Sequence, residues 1–545
     1  MKYAKLTVAA AAVLFSCRGK QQADLIVFHA KIYTVDTSFD TVQAMAVREG
    51  RILATGSDDD ILGKYSAPVM TDEGGKYVYP GFIDAHSHFV GYGESLFMAD
   101  LFGSRSTEEM VQRVKQFADA HPGMVWIRGR GWDQNKFPGK GFPDNTLLNQ
   151  LFPATPVVLG RVDGHALLAN AKALELAGVH PDQQIEGGVI ETKRGRLTGI
   201  MVDNAMRLVY RQAPNPSAAE FLQRVDAAQQ KCFAQGLTTV ADCGLDRAAI
   251  EALDSLQKAG KLKMRVYAMV SDRKDDLDYF IPKGPYQTDL LYVKAVKAYA
   301  DGALGSWGAC LLAPYSDRRG WVGKLLNEPS HYDSLAARLA PTDWQLCTHA
   351  IGDSGNRMIL NVYNKYLKGK NDKRWRVEHA QMIDDQDFDL FGRGSIIPSV
   401  QPTHATSDMY WAGDRLGPVR LKGAYANKRL LQQNGWLPLG TDFPVEDISP
   451  FKTFLAAVFR VDAKGYPAGG FQPENALTRE EAIRGMTIWA ARADFWEKEI
   501  GSLEAGKKAD FVVLDQDLME VPAGGVLSVK PLATYSSGVK VFALP

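Results

Sequence analysis

Eight apolar runs lie along the chain, and most of them end at a polar or charged residue and precede a segment with helical periodicity. The runs span residues 79–84, 237–242, 264–270, 291–301, 344–349, 376–379, 395–401 and 437–442. Near-continuous apolar runs are typical of strands that are buried on both faces, as in a parallel sheet covered by helices. Eight such strand–helix units predict an α/β fold, namely a (β/α)8 TIM-like barrel.

Two stretches outside these runs predict a smaller β domain. Residues 24–78 and 496–545 contain short alternating segments separated by turns, and we expect them to pair in one small β-sandwich beside a barrel at 79–495. About 150 residues separate the first two barrel runs, far more than a βα unit needs, so residues of about 91–216 are expected to form an inserted subdomain. Insertions at the C-terminal ends of barrel strands usually shape the active site.

The charges of the chain balance, with 63 basic and 63 acidic side chains and a formal net charge of +0 at pH 7. This balance removes the simplest electrostatic case for nucleic acid or an anionic membrane surface as the main partner. No GxxxxGK[ST] phosphate loop occurs, which gives little support to a nucleotide-dependent function. The expected partner is a small-molecule substrate, and the sequence leaves the oligomeric state open.

The N-terminus has the features of a secretory signal. Lys2 and Lys5 precede an apolar run at 6–15, which is too short for a bilayer because a spanning helix needs about 20 residues. The run ends in a small residue followed by Cys17, which resembles a bacterial lipobox in which the cysteine is lipidated. An ordinary signal peptide, cleaved nearby, is the alternative. We therefore expect a signal peptide at 1–17 and a lipid-anchored protein of the bacterial cell envelope that faces the periplasm and touches the membrane only through that anchor.

Histidines and an acid stand at the ends of several runs. The first run continues into His86 and His88, which project from the same face of an extended backbone because side chains alternate with period two. Two imidazoles on one face can bind one metal ion, although such a pair alone is a weak signal. The fifth, sixth and eighth runs end at His349, His379 and Asp442. Because a barrel carries its chemistry at the C-terminal ends of its strands, these residues form a candidate metal site.

The order of these residues, with Lys297 in the fourth run, resembles the metal-dependent amidohydrolase superfamily. Five phrases narrow the resemblance to the amidohydrolase family 3 branch, which includes N-substituted formamide deformylase. They are PGFIDAHSH at 80–88, DGHALLAN at 163–170, ADGALGS at 300–306, GTDFP at 440–444 and GSLEAGKKADF at 501–511. The resemblance covers essentially the whole mature chain. The sequence differs from the family pattern at Trp307, where this branch often has Arg. We expect this difference to alter a substrate contact.

The resemblance implies a metal centre with one or two divalent ions. His86 and His88 would hold one ion together with Asp442, and His349 and His379 would hold a second. Neutral imidazole and carboxylate ligands suit Zn²⁺ and related divalent ions.

In this superfamily the lysine of the fourth strand is often carboxylated by CO₂, which turns a cation into a bridging anion. Lys297 is the candidate for this modification, and a plain barrel lysine with a structural partner is the alternative. Lys294 is a nearby competitor, but it lies three residues earlier, so strand alternation points it to the other face.

The implied reaction is hydrolysis of a non-peptide carbon–nitrogen bond in an amide, formamide or cyclic amide. The pKa of a metal-bound water falls to roughly 7, and Asp442 would take its proton and return it to the leaving nitrogen. His165, Asp301 and Trp132 are candidate substrate contacts, with a structural role as the alternative for each. His404, just past the seventh run, is a weaker candidate without an assigned role.

Two other functions stay open at this point. One is a different reaction on the same metal site, by a deaminase, an isomerase or another hydrolase, because fold and metal ligands set the nucleophile but not the substrate. The other is a catalytically silent periplasmic binding lipoprotein, against which the complete ligand set argues.

Overall fold

A parallel barrel forms the centre of the structure. The computed structural model describes residues 19–545, so Cys17 and the expected signal peptide lie outside the described residues. Seven parallel strands follow one another in chain order, and Tyr286–Gln287 adds an antiparallel strand beside the fourth of them. They are β1 (Phe82–Ser87), β2 (Leu237–Leu245), β3 (Arg265–Ser271), β4 (Leu291–Tyr299), β5 (Gln345–Ala350), β6 (Arg376–His379) and β7 (Ile397–Ser399).

The eighth apolar run, residues 437–442, closes the barrel as an irregular segment, which we call the closing segment. Ala85 N of β1 donates a hydrogen bond to Leu439 O (3.2 Å), and Gly440 N donates to Val400 O at the end of β7 (3.0 Å). The closing segment is therefore hydrogen bonded to the first and the last regular strand. The predicted TIM-like barrel is confirmed, with the difference that its eighth member is too irregular to form a ladder.

Helices surround the barrel and bury their apolar faces against its strands. The helices after β2 and later strands are Arg247–Lys258, Lys274–Phe280, Pro329–Leu339, Asp353–Leu367, Phe388–Arg393, Pro402–Asp408, Ala412–Arg420, Asn427–Asn434, Pro450–Phe459, Arg479–Gly485 and Ile488–Ala493. Ahead of β2 lie Phe89–Ser95 and Ala218–Ala234, which begins at a capping box between Ser217 and Glu220. Across residues 19–545, no helix combines the length and apolar character that a bilayer crossing requires.

Strands from both ends of the described chain form a sandwich, as expected. A six-stranded sheet has the order Val539–Ala543, Pro531–Ser536, Phe511–Leu514, Tyr77–Pro80, Lys31–Tyr33 and Thr41–Val42. A four-stranded sheet has the order Arg51–Gly56, Ala44–Arg48, Leu25–Phe28 and Val69–Asp72, and helix Asp58–Lys64 follows its first-named strand. Phe511 and Tyr535 stack with ring centroids 4.2 Å apart in the shared core, so that the C-terminal strands complete the N-terminal ones.

The first predicted run is divided between two sheets. Tyr77–Pro80 belongs to the sandwich and Phe82–Ser87 is β1 of the barrel, with Gly81 between them. Both pieces are buried almost throughout, so their apolar residues form one uninterrupted run in the sequence.

An inserted α/β subdomain lies between β1 and β2. Its six strands have the order Ala99–Asp100, Ile127–Trp132, Val157–Arg161, Ala166–Ala169, Arg196–Asp203 and Gly188–Lys193. Its helices are Thr107–Ala120, Thr146–Leu151, Ala171–Leu176 and Met206–Tyr210. The sheet has its own apolar core, and its last two strands pass beside the loop that follows β4.

The closing segment packs against β1 so tightly that we expect Gly440→Ala to destabilise the barrel. A Cβ at this position would lie 2.6 Å from His86 N and 2.8 Å from Asp84 Oδ1. Overpacking of this kind costs about 1–3 kcal/mol, which lowers the thermal unfolding midpoint measured at a fixed scan rate. Gly63→Ala is the control, because a Cβ there meets no atom within 4 Å. Equal midpoints for the two variants would contradict a tight closure.

Candidate metal centre

Two histidines and an aspartate meet where the closing segment crosses the end of β1. Asp442 N donates a hydrogen bond to His86 O (2.8 Å), which sets the two side chains beside each other. Asp442 Oδ1 lies 3.6 Å from His86 Nε2 and 3.2 Å from His88 Nε2. The ligand atoms of these three residues all lie within 4.8 Å of one another, as in a cation site.

A second set shares the same carboxylate. His379, at the end of β6, and His404, in the helix after β7, have ligand atoms within 4.8 Å of each other and of Asp442. The ring of His379 lies 4.6 Å from that of His86, centroid to centroid, so the two sets are contiguous. His379 Nδ1 faces Gln401 Oε1 at 2.7 Å, which leaves Nε2 to face the centre.

His349 and Lys297 complete the group that the sequence predicts. The His349 ring lies 4.5 Å from that of His379, although its Nε2 faces Gly302 O (3.5 Å) and Asp301 Oδ1 (3.7 Å). Lys297 is fully buried, with Nζ 3.5 Å from His86 Nε2. Its competitor Lys294 donates instead to Asp343 O on the outer side of the strand (2.7 Å). The fold thus gathers all six predicted ligand candidates at one mouth of the barrel.

Backbone strain marks two of these positions. His379 has φ of 71° and Asp442 has φ of 64°, in the left-handed region that residues other than glycine rarely adopt. Each such conformation costs of order ~1–3 kcal/mol, which the surrounding structure must offset. Both side chains face the common centre, where their ligand atoms lie within 4.8 Å of each other.

The buried imidazoles are held in their neutral form. Burial and the nearby Lys297 lower the pKa of His86 to about 4. Burial and the neighbouring imidazoles also keep the pKa values of His349 and His379 well below their usual range. A neutral imidazole is the form that binds a metal, so these three side chains need no deprotonation at neutral pH.

Glu378 orients His86 from behind. Its Oε2 accepts a hydrogen bond from His86 Nδ1 (2.5 Å), which places the other ring nitrogen toward Asp442. Burial alone raises the pKa of Glu378, but His86 and Arg376 lower it to about 2, so the carboxylate is ionised. Carboxylate–histidine pairs of this kind fix the tautomer and raise the basicity of a metal ligand.

Asp442 carries an unpaired oxygen that fits a cation. Burial raises the pKa of Asp442, but the adjacent imidazoles of His404 and His88 outweigh it and hold the pKa well below its usual range. Its Oδ1 is buried and, among residues 19–545, has no partner in hydrogen-bond geometry. An ionised oxygen left in this state is costly unless a positive group faces it. The carboxylate and the neutral imidazoles around it therefore suit a divalent cation such as Zn²⁺.

The sequence marks His404 only as a weak candidate without a role, whereas the structure places it beside Asp442. Its Nε2 lies 3.4 Å from Asp442 Oδ2 and its Nδ1 lies 3.1 Å from Glu446 Oε1. Burial lowers the pKa of His404, but Asp442 and Glu446 raise it to about 10. Because both ring nitrogens face carboxylates, a charged partner of Asp442 is a better description of this side chain than a metal ligand. Its place one helix turn past β7 was the signal available in the sequence.

The predicted substrate contacts occupy different positions. His165 reaches the centre from the insertion, with its ring 4.9 Å from that of His349 and its Nδ1 2.8 Å from Asp203 Oδ1. Asp301 lies beside the centre, where its carboxylate accepts hydrogen bonds from Cys310 N, Ile351 N and Gly352 N.

Trp132 is not brought to the centre. Its ring is fully buried in the core of the insertion, and its indole N–H donates to Leu159 O (2.8 Å). A side chain without exposed surface offers nothing to a substrate in this conformation, which favours the structural role that the sequence left as the alternative. The adjacent Asp133 pairs with the buried Arg161.

Comparison with known proteins finds relatives along almost the whole chain. The Amidohydrolase family matches residues 71–542. Protein LONG AFTER FAR-RED 3 of Arabidopsis thaliana is 32% identical over 538 residues, which cover 95% of this chain and 92% of that protein. N-substituted formamide deformylase of Arthrobacter pascens is 26% identical over 554 residues, which cover 95% of this chain and 98% of that protein. An uncharacterized metal-dependent hydrolase from Pyrococcus horikoshii OT3 has a crystal structure with a TM-score of 0.75 and 28% identity, covering 92% of this chain and 99% of that one.

We expect Glu378→Gln to weaken metal binding about 10–100-fold, because the amide keeps the shape but removes the charge that orients His86. The measurement is the affinity for Zn²⁺ in competition with a chelator, which does not depend on turnover. Glu175→Gln is the control, since its side chain is 69% exposed on a helix of the insertion. An unchanged affinity in Glu378→Gln would remove this residue from the metal centre.

Proposed function

The chain belongs to the amidohydrolase family, and on this premise we propose that it hydrolyses a non-peptide carbon–nitrogen bond in amides, formamides or cyclic amides, with one or two bound divalent cations, most simply Zn²⁺. The observation that carries the proposal is Asp442, an ionised and buried carboxylate with an unpaired oxygen among the gathered histidines. A relative, N-substituted formamide deformylase, acts by its name on N-substituted formamides, which makes formamides the first substrates to test.

We propose that His86, His88, His349, His379 and Asp442 hold the cations. A bound divalent cation lowers the pKa of water in its coordination shell toward neutrality and polarises a carbonyl oxygen. The remaining chemistry, which is proton transfer and orientation of the substrate, belongs to side chains of this chain.

Asp442 is proposed as the group that moves the proton. Its carboxylate is ionised at neutral pH, so it can accept a proton from the attacking water as that oxygen bonds to the carbonyl carbon. The Asp442 carboxyl then returns the proton to the nitrogen as the carbon–nitrogen bond breaks, and a carboxylic acid and an amine are released. His404, charged and 3.4 Å from Oδ2, keeps the carboxylate in position throughout.

His165, which reaches the centre from the insertion, is proposed to bind the substrate. Burial lowers the pKa of His165, but Asp203 and Asp163 raise it above its usual range, which favours a ring that donates hydrogen bonds. Asp203 holds its Nδ1, so Nε2 is available to a substrate oxygen. Asp301 supports the loop beneath this position through its three backbone contacts and does not itself need to touch the substrate.

Lys297 is proposed to be carboxylated when cations are bound. As an ammonium it would place a positive charge 3.5 Å from His86 Nε2, where a cation is expected. Loss of one proton from the ammonium gives the free amine, and addition of CO₂ to its Nζ with loss of a second proton leaves a carboxylate on the same stem in place of the positive charge.

We expect Asp442→Asn to lower kcat about 10²–10⁴-fold on an N-formyl amine, because an amide cannot accept the proton of water. Lys297→Ala should lose bound metal and activity together, and added short carboxylic acids should restore part of both. The measurements are metal content and turnover in a panel of N-formyl and N-acyl amines. Asp447→Asn, on an exposed side chain of the next loop, is the control. Full turnover in Asp442→Asn would end its role as the base, and turnover without metal would end the proposal.

We also propose that Cys17 anchors the protein by lipid to the bacterial envelope, facing the periplasm. The support is the sequence alone, namely Lys2, Lys5, the short apolar run and the small residue before Cys17. We expect Cys17→Ala to shift the protein out of the membrane fraction or to leave the signal uncleaved, as measured by fractionation and by the mass of the chain. A variant that fractionates and is processed like the parent would show that the lipobox interpretation is wrong.

A further inference from the structure

A tyrosine stands directly above Lys297 at the mouth of the barrel. Tyr299 is the last residue of β4, and it lies on the same face of the strand as Lys297 because side chains alternate with period two. Lys297 is fully buried, whereas Tyr299 is partly exposed. The Lys297 Nζ atom lies 5.0 Å from the centroid of the Tyr299 ring. The ring therefore belongs to the rim above the candidate ligands, and the mechanism proposed above does not use it.

The Tyr299 ring extends across the mouth of the barrel. A Cβ on Gly244 of β2 would lie 3.1 Å from Tyr299 Oη, so the hydroxyl stands in front of β2. In the sheet β3 lies between β2 and β4, and β2 in turn pairs with β1, the strand that carries His86. The phenol thus crosses the end of β3, and its oxygen reaches the strand beside the one that carries His86.

Gly244 leaves the room that this hydroxyl occupies. Its φ of +101° lies in the region that favours glycine, and the ladder between β2 and β3 shifts register at this position. A side chain there would meet Tyr299 Oη at 3.1 Å and Lys297 Cγ at 3.7 Å. β2 and β3 supply none of the candidate ligands, and Gly244 and Ser271 are small residues near their ends. This side of the mouth is therefore bordered by small residues and by the phenol.

The hydroxyl of Tyr299 has no hydrogen-bond partner among residues 19–545, although the backbone of the residue is fixed. Tyr299 O accepts a hydrogen bond from Tyr332 Oη (2.7 Å), and the ladder pairs Tyr299 with His349 on β5. The Tyr299 and His349 rings lie 5.6 Å apart, centroid to centroid. A neutral phenol donates one hydrogen bond, so this group is a positioned donor that nothing in the described part of the chain uses.

A second donor lies beside the same imidazole. The His165 ring is 4.9 Å from that of His349, and its Nε2 is available to a substrate oxygen, as described above. Two donors from different parts of the chain, β4 and the insertion, thus border one candidate ligand. Fixed donors of this kind are most effective where negative charge develops during a reaction. In the hydrolysis of an amide that position is the carbonyl oxygen, which takes the electron pair of the C=O π bond when water attacks the carbon.

We propose that Tyr299 is a catalytic residue, whose hydroxyl donates a hydrogen bond to the carbonyl oxygen of the substrate as that oxygen becomes negatively charged. The proton stays on Tyr299 Oη throughout, and the hydrogen bond is strongest while the carbon is tetrahedral. When the carbon–nitrogen bond breaks, the electron pair returns to the C=O bond and the hydrogen bond weakens. The inference rests on the proposed function, because it adds a catalytic residue to the same reaction.

The first experiment compares Tyr299→Phe, which removes only the hydroxyl oxygen, with the parent chain, both loaded with Zn²⁺. We expect kcat for N-benzylformamide to fall about 10²–10³-fold with KM within about twofold, because the hydrogen bond forms mainly in the transition state. The affinity for Zn²⁺ and the thermal unfolding midpoint should not change, whereas a merely structural role would move them. Tyr286→Phe is the control, since it removes the same atom from an exposed strand beside β4. Equal kcat values for the two variants overturn the inference, and so does a loss of kcat that follows a loss of bound Zn²⁺.

A change in the substrate tests which atom the hydroxyl faces. Sulfur accepts hydrogen bonds more weakly than oxygen, so N-benzylthioformamide has less to lose from Tyr299→Phe than N-benzylformamide has. If the hydroxyl faces the carbonyl oxygen, both changes remove the same interaction and their effects on kcat are not additive. We expect the loss in Tyr299→Phe to be about tenfold smaller on the thioformamide. Equal losses on the two substrates would place the action of the hydroxyl elsewhere and overturn the inference.

A binding measurement separates this inference from the proposed function. N-Benzyl methylphosphonamidate has a tetrahedral centre with an anionic oxygen, and calorimetry gives its affinity for the Zn²⁺-loaded chain without turnover. We expect Tyr299→Phe to weaken this affinity about 10–100-fold, as for the loss of a hydrogen bond to a charged group. Hydrolysis of formamides by the parent chain with equal analogue affinities in parent and variant would overturn the inference while the function stands. Weaker analogue binding in Tyr299→Phe, without hydrolysis of any formamide or N-acyl amine, would support the donor and contradict the choice of reaction. A parent chain that does not bind the analogue would contradict both.

Discussion

The backbone hydrogen bond from Asp442 N to His86 O is the interaction on which the rest of the site depends. It joins the last segment of the barrel to its first strand, so the residues that meet there are separated by more than 350 positions in the sequence. Because the closing segment is too irregular for a ladder, a few contacts fix its register. Those same contacts set the distance between the carboxylate and the first two imidazoles.

Burial and charge act together around this junction. Water is excluded from His86, His349 and His379, which keeps them neutral, while Glu378 and Asp442 stay ionised because cationic or hydrogen-bonding groups face them. One ionised oxygen, Asp442 Oδ1, still has no hydrogen-bond partner among residues 19–545, and a bound cation would satisfy it. The arrangement favours cations over neutral guests, and it does so before any substrate arrives.

Much of the fold could be predicted because parallel strands buried on both faces leave an unmistakable apolar run. The division of the first apolar run between two sheets at Gly81 could not be predicted. The strands of the sandwich and of the barrel are equally buried there, so their apolar residues form one continuous run. Strand-end positions pointed to His349, His379 and Asp442, whereas Lys297 and the assignment of the ligands came from the family resemblance. Glu378 and the charged state of His404 depend on contacts between residues that are far apart in the sequence, and the burial of Trp132 in the core of the insertion is likewise set by tertiary contacts.

The sandwich has a consequence for the order in which the protein is made. Strand Tyr77–Pro80 pairs with Phe511–Leu514, which leaves the ribosome more than 400 residues later. Until then the edge of Tyr77–Pro80 that faces this partner is open, and an open strand edge is a template for pairing with the wrong chain. The sheet is therefore complete only after the last strands have been synthesised. Until then the N-terminal strands depend on the factors that protect nascent chains from aggregation.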